Sequence, residues 1–71
     1  MKVYIRKIER LGYLVRKADI KSYILEKYHI CEYVKVYVLK DCSNNIIYSS
    51  NDADDVYSYI NRNGYTFVKV G

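Results

Sequence analysis

Residues 19–30 read DIKSYILEKYHI, and the fold turns on what this stretch becomes. Ile20, Tyr23, Ile24, Tyr28 and Cys31 recur at three- and four-residue spacing, which places them on one face of a helix. Asp19 stands where an N-cap carboxylate belongs, and Lys21, Ser22, Glu26 and Lys27 fill the other side. The spacing predicts a helix over 19–30.

Toward the N-terminus, residues 2–8 alternate, with Val3 and Ile5 set against Tyr4 and Arg6, which is the period of a strand. Glu9 to Gly12 reads as a turn in which Gly12 is free to take positive φ, and residues 13–16 return as a second strand. A rival reading takes Ile5, Ile8 and Leu11, spaced by three, as the stripe of a helix over 3–11.

Toward the C-terminus, residues 33–40 (YVKVYVLK) form the clearest strand. Val34, Val36 and Val38 point one way, while Tyr33, Lys35, Tyr37 and Leu39 point the other. That second face is only partly apolar and suits solvent or a partner. Residues 41–45 are rich in turn formers, and residues 46–48 resume as a short strand. A second helix is expected over 50–63, capped by Ser50 or Asn51. Asp52, Asp54 and Asp55 lie in its first turn, where the helix dipole favours negative charge. Ala53, Val56, Tyr57 and Ile60 make its stripe, Arg62 its last turn and Gly64 its C′ residue. Residues 65–70 close the chain as a strand.

The expected order is ββαββαβ in a single α+β domain of 71 residues. A mainly antiparallel sheet with two helices packed on one face would bury both stripes. The alternative is a winged helix-turn-helix, with helices over 3–11 and 18–30 and a wing over 33–48. Its turn, Tyr13 to Lys17, is long and β-prone for that motif, and the acidic start of the helix at 51–63 would repel a phosphate backbone.

Charge is uneven. Residues 1–40 hold ten Lys or Arg against four acids, and residues 41–71 hold two against four. This predicts a positive region built from Arg6, Lys7, Arg10, Arg16, Lys17 and Lys21, attractive to nucleic acid or to acidic protein surfaces. Tyr4 and Tyr13, beside Arg6 and Arg16, could add an aromatic platform for single strands. Ten tyrosines and no tryptophan give the chain aromatic area that tolerates water, a feature of binding interfaces. Tyr37 is the anchor expected on the strand at 33–40.

Catalytic roles do not assemble. His29 is the single histidine, the three glycines are scattered, and the acids of residues 52–55 are explained by the helix dipole. On a helix, His29 and Cys31 would point to different sides. Neither Cys31 nor Cys42 belongs to a metal-binding knuckle; Cys31 fits the core face of the first helix and Cys42 an exposed turn. No cofactor or metal is expected. The start of the chain lacks the apolar run of a signal peptide, which predicts a cytoplasmic protein with reduced thiols and no membrane partner. Abundant Asn, Ile, Lys and Tyr are the mark of A/T-rich coding, a style shared by small accessory proteins of phages and other viruses. The expectation is a small non-enzymatic binding protein that occupies a partner's surface and modulates or inhibits a host protein in the host cytoplasm. Nucleic-acid binding through the basic N-terminal half is the alternative. An exposed sheet edge also leaves room for a homodimer.

Overall fold

The computed structural model describes residues 5–69. The chain runs β1 (Lys7–Arg16), β2 (Lys21–His29), β3 (Lys35–Asp41), β4 (Ile46–Ser50), α1 (Ala53–Arg62) and β5 (Tyr65–Lys69). The five strands form one sheet in the order β4-β3-β2-β1-β5, and every pairing is antiparallel. The first four strands are a meander. The helix then carries the chain from one edge of the sheet to the other, where β5 pairs with β1. The α+β class and the antiparallel sheet match expectation. The expected order and the second helix do not.

The stretch at 19–30 is the main correction: it supplies β2, not a helix. Its apolar residues satisfy the two-residue period as well as the helical one. Tyr23 and Leu25 face one side of the sheet and Ile24 and Tyr28 the other, and β-branched and aromatic side chains suit a pleated surface. Leu25, which the helical stripe leaves out, is fully buried. Asp19 caps nothing; its carboxylate ties down the β1–β2 turn by accepting from the Arg16 guanidinium, the Tyr23 hydroxyl and the Lys21 backbone N–H.

The N-terminal hairpin is likewise replaced by one continuous strand. Gly12 sits within β1 at a bulge, where the register against β2 shifts between Arg10 and Gly12, and not in a turn. The winged helix-turn-helix falls with these two corrections, because among the described residues no helix precedes Ala53. The part of the first expected strand that spans residues 2–4, with Tyr4, lies outside the described residues, as does Val70.

The expected C-terminal helix forms. Its N-cap is Asp52, one residue beyond Asn51, and the Asp52 carboxylate accepts from the Asp54 N–H. Asp54 and Asp55 occupy the first turn and Arg62 the last. Asn63 is the C-cap, and Gly64 follows with φ +76°, a left-handed conformation that glycine adopts freely.

The helix lies on one face of the sheet. Val56 and Ile60 pack with Leu14 of β1, Tyr23 and Leu25 of β2, Leu39 of β3 and Tyr65 of β5. Aromatic pairs fasten both flanks. Tyr59 stacks on Tyr48 of β4 at 4.0 Å between centroids, and Tyr57 meets Phe67 of β5 at 5.9 Å. Tyr23 and Tyr65 meet edge to face at 4.8 Å.

The β1–β2 turn carries a strained residue. Ile20 has φ +53°, its N–H bonds the Arg16 carbonyl at 2.8 Å, and it is 84% exposed. A β-branched side chain is disfavoured in this left-handed region, which asparagine tolerates. With almost no burial to lose, Ile20→Asn should raise stability by about 1 kcal/mol. Chemical denaturation should show a higher midpoint with an unchanged slope.

Candidate functional site

The ladder register assigns every strand side chain to a face. On the face opposite α1, rows run across the strands: Ile8, Tyr28 and Val36; Arg10, Glu26, Val38 and Ser49; Tyr13, Ile24, Lys40 and Ile46; Val15 and Ser22. Nothing among the described residues lies over these rows, yet their centre is well packed. Val38 is buried and Glu26 is only 9% exposed. The Glu26 carboxylate is 3.0 Å from Lys40 Nζ and accepts from the Tyr28 hydroxyl at 3.2 Å. Lys40 also lies over the Tyr28 ring, 5.1 Å from its centroid. The Tyr28 hydroxyl first, and then Glu26, raise the Lys40 pKa. Arg10 donates to the Tyr13 hydroxyl at 2.6 Å and covers that ring. The result is a largely apolar and aromatic face in which Glu26 and Lys40 are paired with each other while Arg10 is exposed.

The helix-bearing face divides in two. Near α1 it is core. Beyond the helix, the long strands carry two further rows: Glu9, Lys27, Tyr37 and Ser50, and then Lys7, His29 and Lys35. The ladder continues one residue further, where the Arg6 N–H bonds the His29 carbonyl at 2.8 Å. His29 Nε2 lies 3.2 Å from Glu9 Oε1, and this hydrogen bond is the main cause that lowers the Glu9 pKa. Lys27 Nζ sits 5.5 Å from the Tyr37 ring centroid.

At the opposite end of the hairpin, Arg16 is a structural tie. Its guanidinium bonds Asp19 and donates to the Tyr65 hydroxyl at 3.3 Å. It also lies over the rings of Tyr23 and Tyr65. The Arg16 hydrogen bond, followed by that of Tyr23, brings Asp19 down to about 2 from 3.8. The Asp19 bond and burial push Tyr23 up to about 12.

The basic residues singled out in the sequence therefore do not form one patch. Lys7 and Tyr37 lie on the helix-bearing face, Tyr37 packing against the edge of the core, and Arg6 meets Lys7 at the rim of a recess. Arg10 and Tyr13 lie on the opposite face. Arg16, Lys17 and Lys21 surround the β1–β2 turn, and Tyr4 is outside the described residues. Lys27, His29 and Lys35 join the first group only because the register aligns them, a signal that single-strand periodicity does not carry. Cys31 is exposed, not buried against a helix. With His29 it lines a recess of about 300 Å³ together with Arg6 and Lys7, so the expected separation of His29 and Cys31 is corrected as well. Cys42 is exposed in the β3–β4 turn, as expected. Among the described residues no three His, Cys, Asp or Glu side chains converge as metal ligands, and no helix is long and apolar enough to cross a membrane. Comparison with protein-family models, with characterised proteins and with solved structures finds no match.

Two predictions follow from these networks. Asp19 has a folded pKa below its unfolded value, so its contribution is complete above about pH 4 and is lost as pH falls through about 2. Asp19→Asn should flatten acid unfolding over that window, as read by circular dichroism across a pH series. Lys40→Met should destabilise by about 1–3 kcal/mol, because Glu26 is left without its cation. Adding Glu26→Leu should recover most of that loss, which a double-mutant cycle in denaturant would measure.

Proposed function

We propose that this protein is a non-catalytic binding protein that seats the helix-free face of its sheet on a partner protein. One observation carries the reading: that face sets apolar and aromatic residues on both sides of a central Glu26–Lys40 pair that is satisfied internally. Ile8 is 53% exposed, while Tyr13, Val15, Ile24, Tyr28 and Val36 are half-buried. Docking such a surface removes apolar area from water. Because Glu26 already has Lys40 and Tyr28 as partners, little further desolvation is incurred. The central cation of this face, Lys40, is paired with Glu26, which suits a protein surface better than a phosphate backbone.

The partner that fits is a protein with an apolar patch and an acidic rim, since Arg10 is exposed on this face and the chain carries a net charge of +4. Tyrosine supplies anchors with little rotamer entropy to lose. The small size and A/T-rich coding style support an accessory factor of a phage or virus that modulates a host protein by occupying its surface.

Site-specific photo-crosslinking in the source cell tests this. A crosslinker at Val15 or Ile24 should give one heterologous adduct, and Arg10→Glu should reduce its yield. The same probe at Ser58 on the exposed side of the helix should give none. Equal labelling from both faces, or a product consisting of two copies of this chain, would overturn the heterologous reading.

A further inference from the structure

We propose that the helix-free end of the opposite face, around Lys7, His29 and Lys35, is a binding site for single-stranded nucleic acid. The register sets these three side chains directly opposite one another on β1, β2 and β3. Lys7 and Lys35 stand on either side of His29, two strand spacings or about 10 Å apart across the sheet. Glu9, the nearby acid, faces Lys27, bonds His29 and also acts on Lys7, whereas Lys35 makes no ion pair among the described residues. A phosphodiester backbone laid across the strands would neutralise the row, with Lys27 in the next row of the same face and Arg6 at the rim of the recess beside Lys7.

Aromatic groups and recesses complete the site. A recess of about 300 Å³ is lined by Glu32, Tyr33, Val34, Lys35, Tyr37 and Asn51. The second recess, of similar size, adjoins Lys7 and His29 at the other end of the row. Tyr33 is 88% exposed, and Tyr37 already has a cation, Lys27, near its ring. Aromatic rings beside a basic track are how proteins hold unpaired bases, which can splay and stack, whereas duplex bases stay within their own stack. Glu32 at the rim of the first recess limits the positive field, so the stacking residues define the strand's path as much as the charges do. This site lies away from the apolar face argued above, and the two readings can fail separately.

Fluorescence anisotropy with a short labelled oligothymidylate tests the site. Binding should weaken steeply between about 50 and 200 mM salt. Lys7→Glu with Lys35→Glu should weaken it at least about tenfold, while the same charge change at Lys17 and Lys21, beside the distant turn, should leave it within about twofold. Lys7→Gln with Lys35→Gln gives a milder second variant should charge reversal disturb the circular dichroism spectrum. Tyr33→Ala should weaken binding roughly tenfold without changing the salt slope. Equal loss from the two Lys-to-Glu pairs, equal affinity for duplex and single strand, or no binding at low salt would each overturn the proposal.

Discussion

One ten-residue helix has to cover a five-stranded sheet. At 1.5 Å per residue α1 is about 15 Å long, whereas β1, with the same number of residues, extends about 33 Å. The helix can therefore shelter one face of the sheet and only part of its length. The fully buried residues, Leu14, Leu25, Leu39 and Val56, lie in the sheltered part. Everything beyond it has to be stable while facing water on at least one side.

The composition meets that demand through tyrosine. A phenylalanine-rich sheet of this shape would leave bare apolar rings in water. Tyrosine keeps the ring and adds a hydroxyl that can find a partner at the boundary. Tyr48 packs on the helix and donates to Asp55 at 2.8 Å. Tyr23 is buried and still reaches Asp19, and Tyr28 does the same for Glu26 on the uncovered face. Two surfaces of different chemistry result. The uncovered face is largely apolar with Glu26 and Lys40 paired at its centre, whereas the overhanging end sets Lys7 and Lys35 on either side of His29. A second helix would have hidden the first, and strands no longer than α1 would have removed the second.

The C-terminal half was legible because its signals are local. Acids in the first turn, Arg62 in the last and glycine after the cap predict a helix over 50–63, and α1 occupies Ala53–Arg62 of it. The turn at 41–45 is specified by Asp41, whose carboxylate accepts the Ser43 and Asn45 N–H groups. The stretch at 19–30 is ambiguous in sequence because its apolar residues are dense enough to satisfy two periods at once, and the deciding term is tertiary. Flanked by β1 and β3, Leu25 and Tyr23 gain a core that an isolated helix could not offer. The site was less legible still. An excess of Lys and Arg before residue 41 is visible in the chain, but which of them stand side by side depends on strand register. That register is set in part by the bulge between Arg10 and Gly12, which no composition or periodicity announces.

The strand order also bears on how the chain reaches this state. Each pairing within the meander joins neighbours in sequence and needs only a short loop to close. The β1–β5 ladder is different, since Arg16 and Tyr65 are 49 residues apart. Closing so long a loop carries an entropic cost that local hairpins avoid, and β5 cannot find its place until the helix has turned the chain back across the sheet. The edge strand is thus the final clasp, and until it docks the outer side of β1 is open to any other strand that arrives first.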